Sequence, residues 1–203
     1  MKQHKISIIA ASITTVLSLV GFTCGYYYGN EVLRDICAAI FSSSFFVIAL
    51  SAIGYYIEKN KLQNMILSHD FLCGFELVIS AFNGNNGTTP LGMSVILIDV
   101  MKRTVSVKKL LEDYYTGAFV KDKSIKAFIN EKLIPFGNKL KKLEEYNIEE
   151  NRDYKVFFEA FSASIAEHAK LVHEISILFS GSTSKKNRKK KTNNSSMGNS
   201  KTN

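Results

Sequence analysis

Residues 6–28 read ISIIAASITTVLSLVGFTCGYYY and residues 36–57 read ICAAIFSSSFFVIALSAIGYYI, with only GNEVLRD between them. Neither run contains a charged residue. At about 1.5 Å of rise per helical residue, each is long enough to cross a hydrocarbon core of roughly 30 Å. The pair is expected to form a two-helix transmembrane hairpin, residues 1–57, and any function has to suit a membrane-anchored chain. Lys2 and Lys5 ahead of the first run imitate the start of a secretory signal. The run is too long for a signal's apolar core, however, and no small-x-small cleavage site follows it, so a retained span is expected.

Flanking charge gives an expected orientation. Lys2 and Lys5 precede the first run and Lys59 and Lys61 follow the second, whereas the short turn from Gly29 to Asp35 carries Arg34 offset by Glu31 and Asp35. By the positive-inside rule both termini are expected to be cytoplasmic. Tyr26, Tyr27 and Tyr28 at one border, and Tyr55 and Tyr56 at the other, suit the two interfaces.

The net charge of +8 suggests nucleic acid until it is apportioned. Seven Lys and Arg and no acidic residue follow Ser184, leaving nineteen basic against eighteen acidic residues before it. The body of the protein is thus almost neutral. Its three cysteines, Cys24, Cys37 and Cys73, form no paired framework or metal spacing. A Cys24–Cys37 bridge near the turn is conceivable; free thiols fit the apolar setting better.

Residues 58–181 read as a cytoplasmic helical domain, making the fold class all-α. Glu58 to Ser68 continues the second span, Phe71 to Phe82 forms an apolar helix, and Asn83-Gly84-Asn85-Asn86-Gly87 is a loop. Thr89-Pro90 places a cap and then Pro at the first helical position. Ser94 to Val100 and Thr104 to Val107 are rich in β-branched residues and could pair as strands; the cap and the helical neighbours favour helix. Gly117 ends the helix through Lys108 to Thr116. Ser124 caps a further helix, interrupted near Pro135 and resumed through Lys139 to Tyr146. The longest soluble helix should run from about Glu149 to Phe179, with Tyr154, Phe157, Phe158, Phe161, Ile165, Ala169, Val172, Ile175 and Phe179 on its packed face and Gly181 as its stop.

No catalytic constellation emerges, so the chain is read as a non-enzyme needing no cofactor or metal. There is no phosphate-cradling P-loop, no GxGxxG after a strand and no nucleophile elbow. Neither Arg103 nor Arg152 has the closely following His that a HEPN-type ribonuclease needs. His168 and His173 are five residues apart, about 140° around a helix, and cannot share a metal as an i, i+4 pair does. They read as surface histidines, with Glu167 and Glu174 beside them. His69-Asp70 reads as a helix cap, and Asp99 pairs with Arg103 one turn on.

The spans carry more pattern. Ser7, Ala11, Thr14, Ser18, Gly21 and Gly25 recur at steps of four and three, and Gly21, Gly25 and Gly29 form consecutive GxxxG steps, a surface that lets helix backbones approach closely. Ala38, Ser42, Ala49 and Ala52 mark a similar face on the second span. These faces either pack the two spans together or assemble several hairpins. In the second case Thr15, Thr23, Ser43, Ser44 and Ser51 could line an aqueous path, since uncharged polar groups in a span prefer protein or water to lipid.

Residues 182–203 are expected to be a disordered polybasic tail. Its cluster Lys185, Lys186, Arg188, Lys189, Lys190 and Lys191 suits anionic headgroups or, alternatively, nucleic-acid phosphates read without base specificity. In layout, with a hairpin over Ile6 to Ile57 followed by a helical cytoplasmic part, the chain resembles the small two-transmembrane effectors of bacterial anti-phage systems, those accompanying retrons and nucleotide-signalling operons. The resemblance implies a homo-oligomer in contact with membrane lipids, held quiet by a defence-system partner until infection and then disrupting the inner membrane in an abortive response. A tethered adaptor that localises a cytoplasmic or nucleic-acid complex is the competing expectation.

Overall fold

A computed structural model describes residues 1–75, 90–147 and 153–195, with side chains for all of these except 90, 91, 154 and 180–195. All regular structure among the described residues is helical. In chain order the elements are α1 (Lys2–Tyr27), α2 (Glu31–Leu67), a 3-10 turn (Asp70–Cys73), α3 (Pro90–Gly117), α4 (Lys123–Phe128), a π turn (Ile129–Leu133), α5 (Ile134–Asn147) and α6 (Tyr154–Ser195). The chain divides into two compact units, Met1–Asn64 with Asp113–Lys121, and Met65–Glu112 with Asp122–Asn203.

In the first unit the reversal between α1 and α2 is tighter than the expected seven-residue turn. Gly29 has φ +66°, the left-handed value that ends a helix at least cost in glycine. Its N–H donates to the Tyr26 carbonyl at 3.3 Å, and the Asn30 N–H donates to the Gly25 carbonyl at 2.9 Å. This is the two-bond pattern of a Schellman C-cap. Asn30 in the same stroke caps α2, its Oδ1 accepting from the Leu33 N–H at 3.0 Å. Residues 31–35 are therefore helical, and α2, at 37 residues, is roughly 55 Å long. That exceeds a hydrocarbon core, consistent with a second span that continues past Ile57.

The two helices run antiparallel in a readable register. A Cβ at Gly21 would lie 2.6 Å from Cys37 Sγ, and one at Gly54 would lie 2.5 Å from His4 Cε1. On α1 the buried positions Ala11, Ser18 and Gly25 are seven residues apart, and on α2 Cys37 and Ser44 are buried with Ser51 half-buried at the same step. A seven-residue repeat of small side chains holds a seam facing its partner over several turns.

The second unit is packed by faces of the same period. α3 buries Met93, Ile96, Leu97, Val100, Thr104, Val107 and Leu111, while its β-branched Val95 and Val105 are exposed. This recurrence at three and four settles residues 94–107 as helix. Pro90 is the first helical residue and Gly117 the last, as the sequence suggests. The cap of α4 is Asp122, not Ser124: Asp122 Oδ1 accepts from the Ser124 N–H at 2.9 Å. Near Pro135 the helix does not stop but widens into the π turn. Proline has no N–H and its ring crowds the carbonyl four residues back, so the adjoining Ile134 N–H bonds five residues back to Ile129.

On α6 the expected Phe157, Phe161, Ile175 and Phe179 are on the core face, but the middle of the buried row differs from expectation. Phe157, Phe161, Ser164, His168, Leu171, Ile175 and Phe179 are buried, whereas Phe158 and Ala169 are exposed and Ile165 and Val172 half-buried. The helical backbone continues past Gly181, the expected stop, to Ser195. Of the expected Phe71 to Phe82 helix, the start is the 3-10 turn and residues 76–82 lie outside the described residues. So do the loop at 83–87 and the region 148–152 before α6.

Candidate functional site

The hairpin is the part of the molecule whose surface needs an explanation. Ile13, Val16, Leu17 on α1 and Phe45, Phe46, Ile53 on α2 are all exposed, and only 11% and 17% of the most apolar windows of the two helices are covered by protein. A core helix of a soluble protein would be mostly buried. Both helices are long and apolar enough to cross a membrane.

Within the hairpin the small residues divide into two sets. Ala11, Ser18 and Gly25 are buried in the seam, Ser7 and Gly21 are half-buried, and Thr14 is exposed; Gly29 belongs to the turn. On α2 the face turned to α1 is that of Cys37, Ser44 and Ser51. The stripe Ala38, Ser42, Ala49 and Ala52 lies about a third of a turn away, with Ala38 half-buried and the other three exposed. Ala38 and Ser42 line a cavity with Leu19 and Phe22 of α1, whereas Ala49 and Ala52 are exposed further along α2. Cys37 and Cys24 are both free, Cys37 being buried against Gly21.

The hydroxyls named as a path are distributed rather than gathered. Ser44 and Ser51 belong to the seam. Thr15 Oγ1 donates to the Ala11 carbonyl at 2.7 Å, Thr23 Oγ1 to Val20 at 2.8 Å, and Ser43 Oγ to Ala39 at 2.9 Å. A hydroxyl that donates to the preceding turn is satisfied without water, so these three can face lipid.

At the other end of the hairpin, the last turn of α3 and the residues after it belong to the same unit. Lys5 Nζ donates to the Ala118 carbonyl at 3.1 Å, and the Phe119 N–H donates to Tyr55 Oη at 3.0 Å. The Tyr55 and Phe119 rings are 4.8 Å apart, and Lys5 Nζ stands 5.4 Å from the Phe119 ring centre. The sequence marks Lys5 and Tyr55 as border residues of the apolar runs but gives Ala118 and Phe119 no role. An apolar Ala118-Phe119-Val120 immediately after a helix-ending glycine was the available signal.

In the second unit His168 departs most from expectation. It is 5% exposed, not on a polar surface. Its Nε2 donates to the Phe71 carbonyl at 2.7 Å, and its ring lies 4.6 Å from Phe71, 5.2 Å from Phe75 and 6.1 Å from Phe136. His173 is exposed, as 140° of separation requires. Glu167 and Glu174 are taken up by Lys139 and Lys132 of the neighbouring segment, each pair at 2.6 Å. Among the described residues no group of three or more His, Cys, Asp or Glu could hold a metal.

His69 is the cap it reads as. Its Nδ1 accepts from the Phe71 N–H at 3.0 Å while Nε2 meets Ser106 Oγ at 2.9 Å. Arg103, paired with Asp99 at 2.6 Å, donates to the Asp70 carbonyl at 3.2 Å. The 3-10 turn is thus tied down from both sides. Burial lowers the His69 pKa, opposed by Asp70 and aided by Arg103. A histidine with a depressed folded pKa binds fewer protons folded than unfolded, so its contribution is complete above its ordinary pKa near 6.5 and declines below it. Acidification from pH 7.5 to 5.5 should lower the thermal midpoint more in the wild type than in His69→Asn, which keeps an accepting cap and does not titrate. Equal decreases would refute a role for His69 protonation.

The cluster Lys185, Lys186, Arg188, Lys189, Lys190 and Lys191 follows on the helical backbone of α6, with side chains outside the described set. No protein-family profile, curated protein or solved structure matches this chain.

Proposed function

We propose that the chain is a non-catalytic effector of the bacterial inner membrane. In this reading the hairpin spans the bilayer with both termini cytoplasmic. Copies assemble through the exposed small residues Ala49 and Ala52 of the α2 stripe, and the assembled spans perturb the membrane when the helical domain is triggered. The observation that carries the reading is the nearly uncovered apolar surface of two helices long enough to span. These exposed small residues support assembly, because close helix approach in lipid depends on such residues. Since the hydroxyls of Thr15, Thr23 and Ser43 are satisfied within their own helix, perturbation by packed spans suits the hairpin better than a path lined by these groups. The anti-phage setting, an abortive response, is taken from the resemblance in layout alone.

A membrane-tethered adaptor is the second reading. A groove of about 330 Å³ on the helical unit, lined in part by Phe128, Ile177 and Leu178 with Lys132 and Glu174 at its rim, favours it. The basic cluster offers the same reading a phosphate-bearing partner. One experiment with two arms separates them. Maleimide labelling of Asn30→Cys from outside intact cells tests the orientation. Potential-sensitive and propidium dyes then follow induction of wild type and of Ala49→Leu with Ala52→Leu. Depolarisation by the wild type, lost in the double variant at equal abundance, is expected. If the potential stays intact while the protein is still needed by its system, the effector reading falls and the adaptor stands.

A further inference from the structure

We propose that the turn Gly117–Lys121 is a second membrane contact, with Phe119 and Val120 seated among the headgroups of the bilayer that holds the hairpin; the proposal rests on the membrane reading above. Loop tips are ordinarily polar, yet here Val120 is 87% exposed and Phe119 42% exposed, side by side. The turn does not dangle. Its carbonyl at Ala118 accepts from Lys5, its Phe119 N–H donates to Tyr55, and a Cβ at Gly117 would come within 2.6 Å of Met1 Cβ.

These tethers fix the height of the turn. Lys5 immediately precedes the first apolar run and Tyr55 lies in the last turn of the second, so the turn is held where both spans leave the hydrocarbon. Its composition matches that depth. An aromatic and a branched aliphatic residue supply the buried part, and Lys5 over the Phe119 ring and Lys121 over the Tyr115 ring, at 5.4 and 5.6 Å, supply cations on flexible stems. Residues 114–121 contain no acidic side chain to repel anionic lipid. A lipid surface is favoured over a protein partner because the turn is tied through Phe119 to Tyr55, beside the exposed Tyr56 and Ile57 at the end of the span itself. Such segments insert about 5–10 Å, to the headgroup and acyl boundary.

The chain has no tryptophan, so one indole can report each position. Full-length Val120→Trp, Phe45→Trp and Val156→Trp are reconstituted in vesicles of phosphatidylethanolamine with a minority of phosphatidylglycerol. Val120→Trp should show blue-shifted emission, weak quenching by acrylamide, and stronger quenching by lipid brominated near the headgroup than near the chain end. Phe45→Trp should be quenched best by the deeper bromines, and Val156→Trp by acrylamide alone. A Val120→Cys nitroxide in a background without native cysteines should relax faster with oxygen than with a water-soluble nickel chelate, excluding an affinity created by the indole. Acrylamide quenching of Val120→Trp alongside lipid quenching of Phe45→Trp overturns this proposal and leaves the membrane reading intact. Shielding of Val120→Trp from both quenchers means a protein covers the turn and also overturns it. Failure of lipid to quench Phe45→Trp removes the membrane reading and this contact together.

Discussion

Replacing Gly25 by leucine should part the two long helices, the largest effect expected of any substitution in the hairpin. A Cβ at Gly25 would lie 2.9 Å from the Arg34 amide nitrogen and 3.3 Å from both Arg34 Cα and the Asn30 carbonyl oxygen. All three are backbone atoms of the turn and the first coil of α2. They cannot rotate away, and the Asn30 N–H is already committed to the Gly25 carbonyl. Alanine alone should cost about 1–3 kcal/mol as overpacking, and leucine should exceed that. Gly21 offers an internal comparison, because its obstacle at 2.6 Å is the end of the Cys37 side chain. Gly21→Ala should therefore be mild and fully relieved by Cys37→Ala, whereas no side-chain substitution should relieve Gly25→Ala. The readout is an oxidative crosslink between Gly21→Cys and Cys37 in a background lacking Cys24 and Cys73. The crosslink should form readily and be lost when Gly25→Leu is added. An undiminished crosslink would mean that the helices are not held by close approach at Gly25.

The same contrast shows what the sequence made legible. The two long apolar helices are visible because length and lack of charge suffice, and Gly29 marks the reversal because only its backbone adopts the left-handed turn cheaply. Pro90 and Gly117 bracket α3 for equally local reasons. Periodicity also discloses that small residues form a stripe, but not which stripe meets which helix. Ala38, Ser42, Ala49 and Ala52 are smaller on average than Cys37, Ser44 and Ser51, yet the latter, at a strict step of seven, form the seam. Counting small side chains does not single out the buried seam; the seven-residue step does. On α6 a hydrophobicity count was drawn to Phe158, Ile165, Ala169 and Val172. The buried row instead passes through two polar residues, Ser164 and His168. Ser164 satisfies itself on the Ala160 carbonyl at 2.8 Å, and His168 finds Phe71, so burial of either was invisible until the fold supplied or excluded a partner.

His168→Ala should accordingly destabilise the helical unit severely. Two penalties combine. Removing a ring packed against Phe71, Phe75 and Phe136 leaves a cavity where neighbours on two separate segments cannot all close in, a class of change that costs about 3–5 kcal/mol for aromatic side chains. The Phe71 carbonyl also loses its buried donor, worth about 1–3 kcal/mol when no water replaces it. A total near the upper part of the first range would lower the thermal midpoint by roughly 10 °C or more for a protein of this size. His168→Phe would fill the space and leave the carbonyl unsatisfied, while His168→Gln would keep a donor in a smaller volume. Both should fall between wild type and alanine, and the gap between them reports how the loss divides between packing and hydrogen bond. Exposed His173→Ala, one and a half turns along the same helix, should stay within about 0.5 kcal/mol of wild type. Thermal melts of the full chain in detergent, followed by far-ultraviolet circular dichroism, would measure the series. Equal melting of His168→Ala and His173→Ala would show that His168 does not hold the 3-10 turn to α6. Loss of cellular activity in a His168→Gln variant that melts like wild type would instead assign the ring a chemical role beyond packing.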